Sequence, residues 1–205
     1  MPSDAHDSNG VARAQRSLRE LFPSRYRATQ RAVLTVGKRQ YVCDGFLVVS
    51  PAEGWHLALV STLGLIADVR VRTDGTGEVL KVTPLFREEW SREYVTRELR
   101  WLFAPPPDLA PLGRLADGRR VLGTLNETNG VRARYVISQT DRWDEFELSR
   151  AGRRLFHAGF GGYRTLDGCA REMPTEITVD AGTHRLHLRM VEWSVPAASA
   201  TEGTR

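Results

Sequence analysis

The stretch from Trp55 to Arg72 constrains the fold most, because apolar and polar side chains alternate along it. Such alternation places the apolar residues on one face of a strand and the polar residues on the other. The alternating apolar residues are Trp55, Leu57 and Leu59 in the first half of the stretch, and Val69 and Val71 in the second half. The pattern predicts two strands of a half-buried antiparallel sheet.

The corner between these two strands is unusually apolar. Connections are normally polar, yet Leu63, Leu65 and Ile66 surround the single glycine Gly64. We expect the rest of the protein to fold over these side chains. The alternative is that they are offered to an apolar ligand or to a membrane surface.

Further strands are predicted along most of the chain, where apolar residues alternate between turn signals such as Gly37-Lys38 and Ala151-Gly152. Gly45 suggests a bulge or a bend. The segment that precedes Ala116 and residues 161–174 are predicted to be loops. The predicted strands are Tyr26 to Val36, Gln40 to Ser50, Glu78 to Val82, Arg119 to Asn126, Val131 to Ser138, Arg142 to Arg150, Arg153 to Phe160, Thr175 to Val179 and His184 to Val195.

Two helices are predicted, a short one from Val11 to Phe22 and a long one from Pro84 to Phe103 with a wide apolar face. Helices packed on one face of a long meandering sheet give an α+β fold. We expect about eleven antiparallel strands in a sheet that curves around the long helix. Residues 11–195 would form one domain, with residues 1–10 and 196–205 disordered.

The charge pattern argues against a nucleic-acid partner. The formal net charge is +4, but the arginines alternate with apolar residues instead of clustering with aromatic ones. Cys43 and Cys169 provide neither a disulfide framework nor metal-ligand spacing, so we expect free thiols and no metal. The length suffices for a core without a cofactor.

No constellation of catalytic residues is evident, and the prediction is a protein that is not an enzyme. His184 and His187 are three residues apart on a strand, so they cannot chelate together and are expected at the surface. His56 and His157 are expected to be structural. The segment Gly159 to Tyr163 is rich in glycine, but no helix start follows it, so it lacks a phosphate-binding mechanism.

The C-terminal stretch carries a more specific pattern. Gly162-Tyr163, Met173-Pro174, Glu176 to Asp180 and Arg185 to Trp193 follow one another with a polar loop and a turn between them. This series resembles the closing segment of the lipoprotein localisation factors LolA and LolB, and more closely that of the outer-membrane receptor LolB. The corner at Leu63 lies where that receptor has a protruding loop with a leucine.

The resemblance implies an incomplete antiparallel β-barrel of about eleven strands with a helical lid. The barrel would enclose an apolar cavity for a lipoprotein acyl chain or another lipid, with no catalysis and no cofactor. Leu63 and Leu65 would lie at the cavity mouth. The expected cavity wall consists of Leu47, Val49, Leu57, Leu59, Trp90, Leu99 and Leu102. The alternative is a structural or assembly protein that binds a protein partner through its sheet and apolar corner.

By resemblance, the expected location is the periplasm or the outer membrane, with a membrane surface as a further partner and a monomeric state. The sequence as written has neither a signal peptide nor a lipidated cysteine. A complete chain of this kind would be cytoplasmic.

Overall fold

The computed structural model describes residues 24–74, 76–83, 102, 109–124, 130–167, 169 and 172–196. These residues are arranged mainly in fourteen strands. The strands are β1 Tyr26–Val36, β2 Arg39–Ser50, β3 Gly54–Ser61, β4 Gly64–Val71, β5 Gly77–Val82, β6 Leu109–Arg114, β7 Arg120–Thr124, β8 Val131–Ile137, β9 Trp143–Arg150, β10 Arg153–Gly161, β11 Arg164–Thr165, β12 Glu172–Met173, β13 Glu176–Asp180 and β14 His184–Ser194.

Twelve of the described strands form one antiparallel sheet in the order β5-β4-β3-β2-β1-β14-β13-β10-β9-β8-β7-β6. The first five strands form a meander, as their turn signals predict. The first and last strands of the chain pair in the middle of the sheet, where Val36 faces His184 and Arg27 faces Ser194. β5 and β6 are therefore the two edges, while β11 and β12 form a separate two-stranded ribbon.

The predicted α+β class is wrong for the part of the chain that the structure describes. Of these residues, 71% lie in strands and 1% are helical. The short helix predicted for Val11 to Phe22 lies outside the described residues. The long helix predicted for Pro84 to Phe103 also lies outside them, except for Leu102. The observed architecture is a large antiparallel sheet.

Burial alternates along the strands and defines the two faces of the sheet. In β1, for example, Tyr26, Ala28, Gln30, Ala32 and Leu34 are buried while Arg27 and Arg31 are exposed. We call the buried side the inner face and the opposite side the outer face. A single buried apolar cluster draws on the inner face of every strand of the large sheet except β5, whose Val79 packs against it.

The strand predictions missed several details at the sheet margins. β6 lies in the Pro-rich segment predicted to be a loop; Pro111 is accommodated there because an edge strand needs hydrogen bonds on one side only. The ribbon of β11 and β12 also lies in a predicted loop. The predicted bulge at Gly45 is absent, since the register there is regular with both β1 and β3.

Candidate functional site

The inner face of β2 and β3 is aliphatic. Leu47 lies directly opposite Leu57, and Val49 lies opposite Trp55, in the β2–β3 register. Leu47 is 1% exposed, and Val49, Leu57 and Leu59 are 7–8% exposed. The structure therefore brings four of the predicted cavity residues together on one buried surface.

Gly45 shapes this surface by leaving space for its neighbours. It pairs with Leu59 across the β2–β3 ladder. A Cβ atom at Gly45 would lie 3.3 Å from Leu59 Cδ2 and 3.7 Å from Leu57 Cδ1. The two leucines thus occupy the volume that a side chain at position 45 would need, which explains a glycine in a regular strand better than the predicted bulge does.

Leu102 is the one predicted cavity-wall residue among the described residues that lies outside the sheet. It is 2% exposed and belongs to the same buried cluster as Leu57 and Leu59. The other two predicted wall residues, Trp90 and Leu99, lie outside the described residues. The assignment of all seven to a lipid-binding cavity stays a prediction.

The apolar corner between β3 and β4 is a tight turn whose tip points into solvent. The Leu63 backbone N–H donates to Ser61 Oγ at 3.1 Å, and the Ser61 hydroxyl donates to the Gly64 carbonyl at 3.3 Å. Gly64 takes a φ of +108°, a conformation that side chains disfavour. The expectation that the protein folds over this corner is wrong for Leu63, which is 86% exposed, and right for Ile66, which is buried.

The inner face of β8 to β10 is aromatic instead of aliphatic. Tyr135 lies 4.6 Å from Phe146 and 5.4 Å from Trp143 between ring centroids, and Phe146 lies 5.7 Å from Phe156. Burial raises the pKa of the Tyr135 hydroxyl. Neither the Tyr135 hydroxyl nor Trp143 Nε1 has a hydrogen-bond partner among the described residues. Sequence reasoning named none of these side chains. Trp143 and Phe146 are three residues apart on β9, and both face inward only because the register with β8 is irregular there, so alternation alone does not predict them.

The outer face carries an apolar stripe along β2. Val42, Phe46 and Val48 lie on this face, with Asp44 between the first two, and are 48%, 47% and 36% exposed. The same alternation that buries Leu47 and Val49 turns these three outward. The sequence analysis did not single them out, since a strand with apolar residues on both faces is more often buried on both sides.

A charge network lies on β7, β9 and β10, centred on Arg119. Its guanidinium contacts Asp117 at 2.7 Å, Glu145 at 2.9 Å and Asp144 at 3.5 Å. Burial raises the pKa of Asp144 against the opposing effect of Arg119. Burial also acts to raise the pKa of Glu145, but the bonds from Arg119 and His157 outweigh it and the pKa is lowered. The arrangement is a salt-bridge network and offers no nucleophile.

The histidines are mostly structural. His56 Nε2 lies 2.6 Å from Asp68 Oδ1 on the outer face, and His157 lies 3.6 Å from Glu145, so both have a polar partner, as expected of structural histidines. His187 is exposed as expected. His184 is 4% exposed and lies within 3.1 Å of Thr183 Oγ1, so the surface position expected for it is wrong. It faces inward because it lies an even number of residues before the buried Leu188 on β14, so that both side chains are on the same face of the strand.

The remaining chemistry of the described residues is sparse. Cys43 and Cys169 are free, as expected, and burial raises the pKa of both thiols. No group of three or more His, Cys, Asp or Glu side chains in the described part of the chain could hold a metal ion. No helix among those residues has the length and apolar character needed to cross a membrane.

Comparison with solved structures relates this sheet to one superfamily. A LolA superfamily protein from Nitrosomonas europaea superposes with a TM-score of 0.62 at 11% identity, covering 91% of this chain and 94% of that chain. The chain shares the fold of this protein. A domain named for outer membrane lipoprotein sorting, from Vibrio parahaemolyticus, gives the same TM-score and identity over 94% and 93% of the two chains.

A DUF1329 family protein from Desulfovibrio piger superposes on this chain with a TM-score of 0.58 at 9% identity, over 94% of each chain. No protein-family model matches the chain, and no curated protein sequence matches it. The predicted resemblance is therefore confirmed for the fold at the level of the superfamily.

Proposed function

We propose that this protein binds the acyl chains of a lipoprotein, or of a similar lipid, and transfers them without catalysing a reaction. The observation that carries the proposal is the aliphatic inner face of β2 and β3, within a fold shared over more than nine-tenths of the length with a lipoprotein-sorting domain. The ligand site consists of Leu47, Val49, Leu57, Leu59, Trp90, Leu99 and Leu102.

Apolar contact alone would provide the affinity. Leu47, Leu57 and Leu59 present only methyl and methylene groups, which exclude water but make no directional bonds. Each methylene of an acyl chain that leaves water gains about 0.8 kcal/mol. Such a site would discriminate by the length of the chain and only weakly by its chemical detail.

Leu63 is the proposed contact with the donor or acceptor membrane. An 86% exposed leucine on a hydrogen-bonded turn contributes little to the core, so its apolar surface is free for an external partner. Leu65, half-buried beside it, would complete the cavity mouth. This corner and the C-terminal segment from Gly162 to Trp193 are the features that favour a receptor similar to LolB. A protein of that kind would be located in the periplasm or at the outer membrane.

The test uses the full chain and a dipalmitoyl-glyceryl cysteine peptide as the lipoprotein mimic. Native mass spectrometry should detect a one-to-one complex. Leu63→Glu should keep this complex but slow transfer of the peptide to phospholipid vesicles by about tenfold, because the turn no longer enters the membrane surface. Leu155→Glu is the matched control: Leu155 is 37% exposed on β10, away from the corner, and its replacement should leave transfer unchanged.

Absence of a complex with the unaltered chain would contradict acyl-chain binding. Equal slowing of transfer by Leu63→Glu and Leu155→Glu would contradict the role of the corner. Circular dichroism of both variants shows whether they are folded, which is expected because both positions are exposed.

A second candidate function is an assembly protein that binds a protein partner. The exposed side chains of Val42, Phe46 and Val48 favour it, because exposed apolar side chains on one face of a sheet are typical of an interaction surface. Phe46 and Val48 are neighbours on this face, and Asp44 separates them from Val42. In this case Phe46→Ser should abolish capture of the partner, and the acylated peptide should not bind at all.

A further inference from the structure

A notch interrupts the sheet beside the C-terminal end of β14. β13 begins at Glu176 and pairs with β14 only as far as Arg189, whereas β14 continues to pair with β1 up to Ser194. One further backbone bond, from the Met190 N–H to the Thr175 carbonyl at 2.8 Å, closes the β13 side. Among the described residues, Val191–Ser194 therefore have a neighbouring strand on one side only.

The notch is large enough for a ligand. Its volume is about 710 Å³, within the range of about 300–1,000 Å³ that is typical of ligand sites. Trp193 contributes to its apolar lining and is held in place by stacking on Tyr26, with ring centroids 4.3 Å apart. Val191, at the β-bulge of β14, is 61% exposed. The notch thus combines an open strand edge with an apolar surface.

Charges of both signs surround this notch without neutralising one another. Arg164, Arg189, Glu176 and Glu192 all line it, and within the described part of the chain none of these four has an ion-pair partner within 4.0 Å. Arg31 also lines it and lies 3.6 Å from Asp44, with 60% of its side chain exposed. Side chains of both signs therefore remain available to an occupant that carries opposite charges at separate positions.

We propose that the notch binds an extended peptide segment, which adds as a strand to the free edge of β14. A strand edge offers backbone donors and acceptors at the spacing of another strand. Val191–Ser194 span about 13 Å at the usual rise of a strand, which accommodates four to five peptide residues. Basic side chains of the peptide face Glu176 and Glu192, and acidic ones face Arg164 and Arg189.

The chemistry favours a peptide over a zwitterionic headgroup. A headgroup such as phosphorylethanolamine could meet the charges but would leave unpaired those backbone groups of Val191–Ser194 that point away from β1. The bulge at Val191 and the charge on Glu192 are devices that limit uncontrolled pairing at sheet edges. The bulge and the charge do not explain why a cavity lies beside this edge, since an edge can be protected from pairing without an open space next to it.

The test is a titration of the full chain, labelled with nitrogen-15, with two blocked pentapeptides, Glu-Val-Thr-Val-Lys and Lys-Val-Thr-Val-Glu. The amide resonances of Val191–Ser194 should shift. Those of their amides that point away from β1 should exchange more slowly with deuterium when the preferred peptide is bound. Arg164→Glu should weaken binding by about tenfold. Arg153→Glu, at the exposed β9–β10 turn, is the matched control and should leave binding unchanged.

Three outcomes would overturn the proposal. The first is no change at Val191–Ser194 with either peptide at millimolar concentration. The second is binding that Arg164→Glu and Arg153→Glu weaken equally. The third is a shift of the notch resonances by phosphorylethanolamine but by neither peptide, which would assign the notch to a headgroup. None of these results bears on acyl-chain binding, because the notch and the inner face of β2 and β3 share no residue.

Discussion

Gly54 offers the sharpest test of the packing that positions the candidate site. It begins β3 with a φ of +85° and lies against the backbone of β4. A Cβ atom at this position would approach the Val71 carbonyl oxygen to 2.1 Å and the Arg72 carbonyl carbon to 2.9 Å. Gly54→Ala therefore forces the backbone of β3 or β4 to move, because neither contact is with a flexible side chain.

The expected loss of stability has two parts. A side chain in the left-handed region costs roughly 1–2 kcal/mol, and relieving the clash with Val71 adds a strain of about 1–3 kcal/mol. We expect Gly54→Ala to lower the free energy of unfolding by about 3 kcal/mol. Gly37→Ala is the control, since Gly37 has a φ of +59° but no atom within 4 Å of the added Cβ. It should cost only about 1 kcal/mol.

Urea unfolding of the full chain, followed by tryptophan fluorescence, measures both variants. The midpoint should fall more for Gly54→Ala than for Gly37→Ala, with equal slopes of free energy against urea concentration. Equal losses in the two variants would refute the reasoning, because they would mean that φ alone sets the cost and that the contact with Val71 contributes nothing.

Two further predictions concern turns. The Gly182 N–H donates to Asp180 at 3.0 Å and lowers the pKa of that carboxyl. The stability that this hydrogen bond contributes is present above the unfolded-state pKa of about 3.9. It is lost as the pH falls through the pKa of Asp180 in the folded protein. Asp180→Asn should therefore lower the free energy of unfolding by at most about 1 kcal/mol at pH 7, and the variant and the unaltered chain should be equally stable in acid. A difference in stability that persists in unfolding curves measured in acid would contradict this prediction. Ala151 has a φ of +49°, so Ala151→Gly should raise the free energy of unfolding by about 0.5–1 kcal/mol. Ala52→Gly is the control, because Ala52 lies in a turn without a positive φ, and it should lower the free energy of unfolding. If both variants were more stable than the unaltered chain, the positive φ of Ala151 would not explain the gain.

Much of the sheet was predictable because local signals define its strands. The strand predicted from Tyr26 to Val36 has the observed bounds of β1, and Arg153 to Phe160 ends one residue short of β10. Both strands begin or end at turns where glycine takes a positive φ, at Gly37 and Gly152. Alternation and turn chemistry are read within a few residues, so they need no knowledge of the rest of the fold.

The remaining features depend on contacts that are distant in sequence. Pro111 and Gly113 make β6 look like a loop, and only its place at the sheet edge makes the strand acceptable. The pairing of β1 with β14 joins the two ends of the chain, and no local pattern specifies it. The notch arises from the unequal lengths of β13 and β14, so it was invisible until the register was known.

The candidate site was predicted in part for the same reason. Leu47 and Leu57 have the parity of buried residues in their own strands, and the β2–β3 register then places them opposite each other. The outer-face stripe through Phe46 was not predicted, because alternation gives the parity of a side chain but not what covers it. Coverage is a property of the assembled sheet.

The β3–β4 hairpin links the buried surface to its exposed tip through an irregularity of register. Val60 pairs with Leu65 while Leu59 pairs with Ala67, so Ile66 is an extra residue and is buried together with Ala67. Without this bulge, strict alternation would turn Ile66 outward with Asp68. The bulge therefore separates the apolar residues of the corner: Ile66 stabilises the core, Leu65 is half-buried, and Leu63 remains in solvent. The membrane contact proposed for the corner depends on this exposure, because a buried Leu63 could not meet a membrane surface.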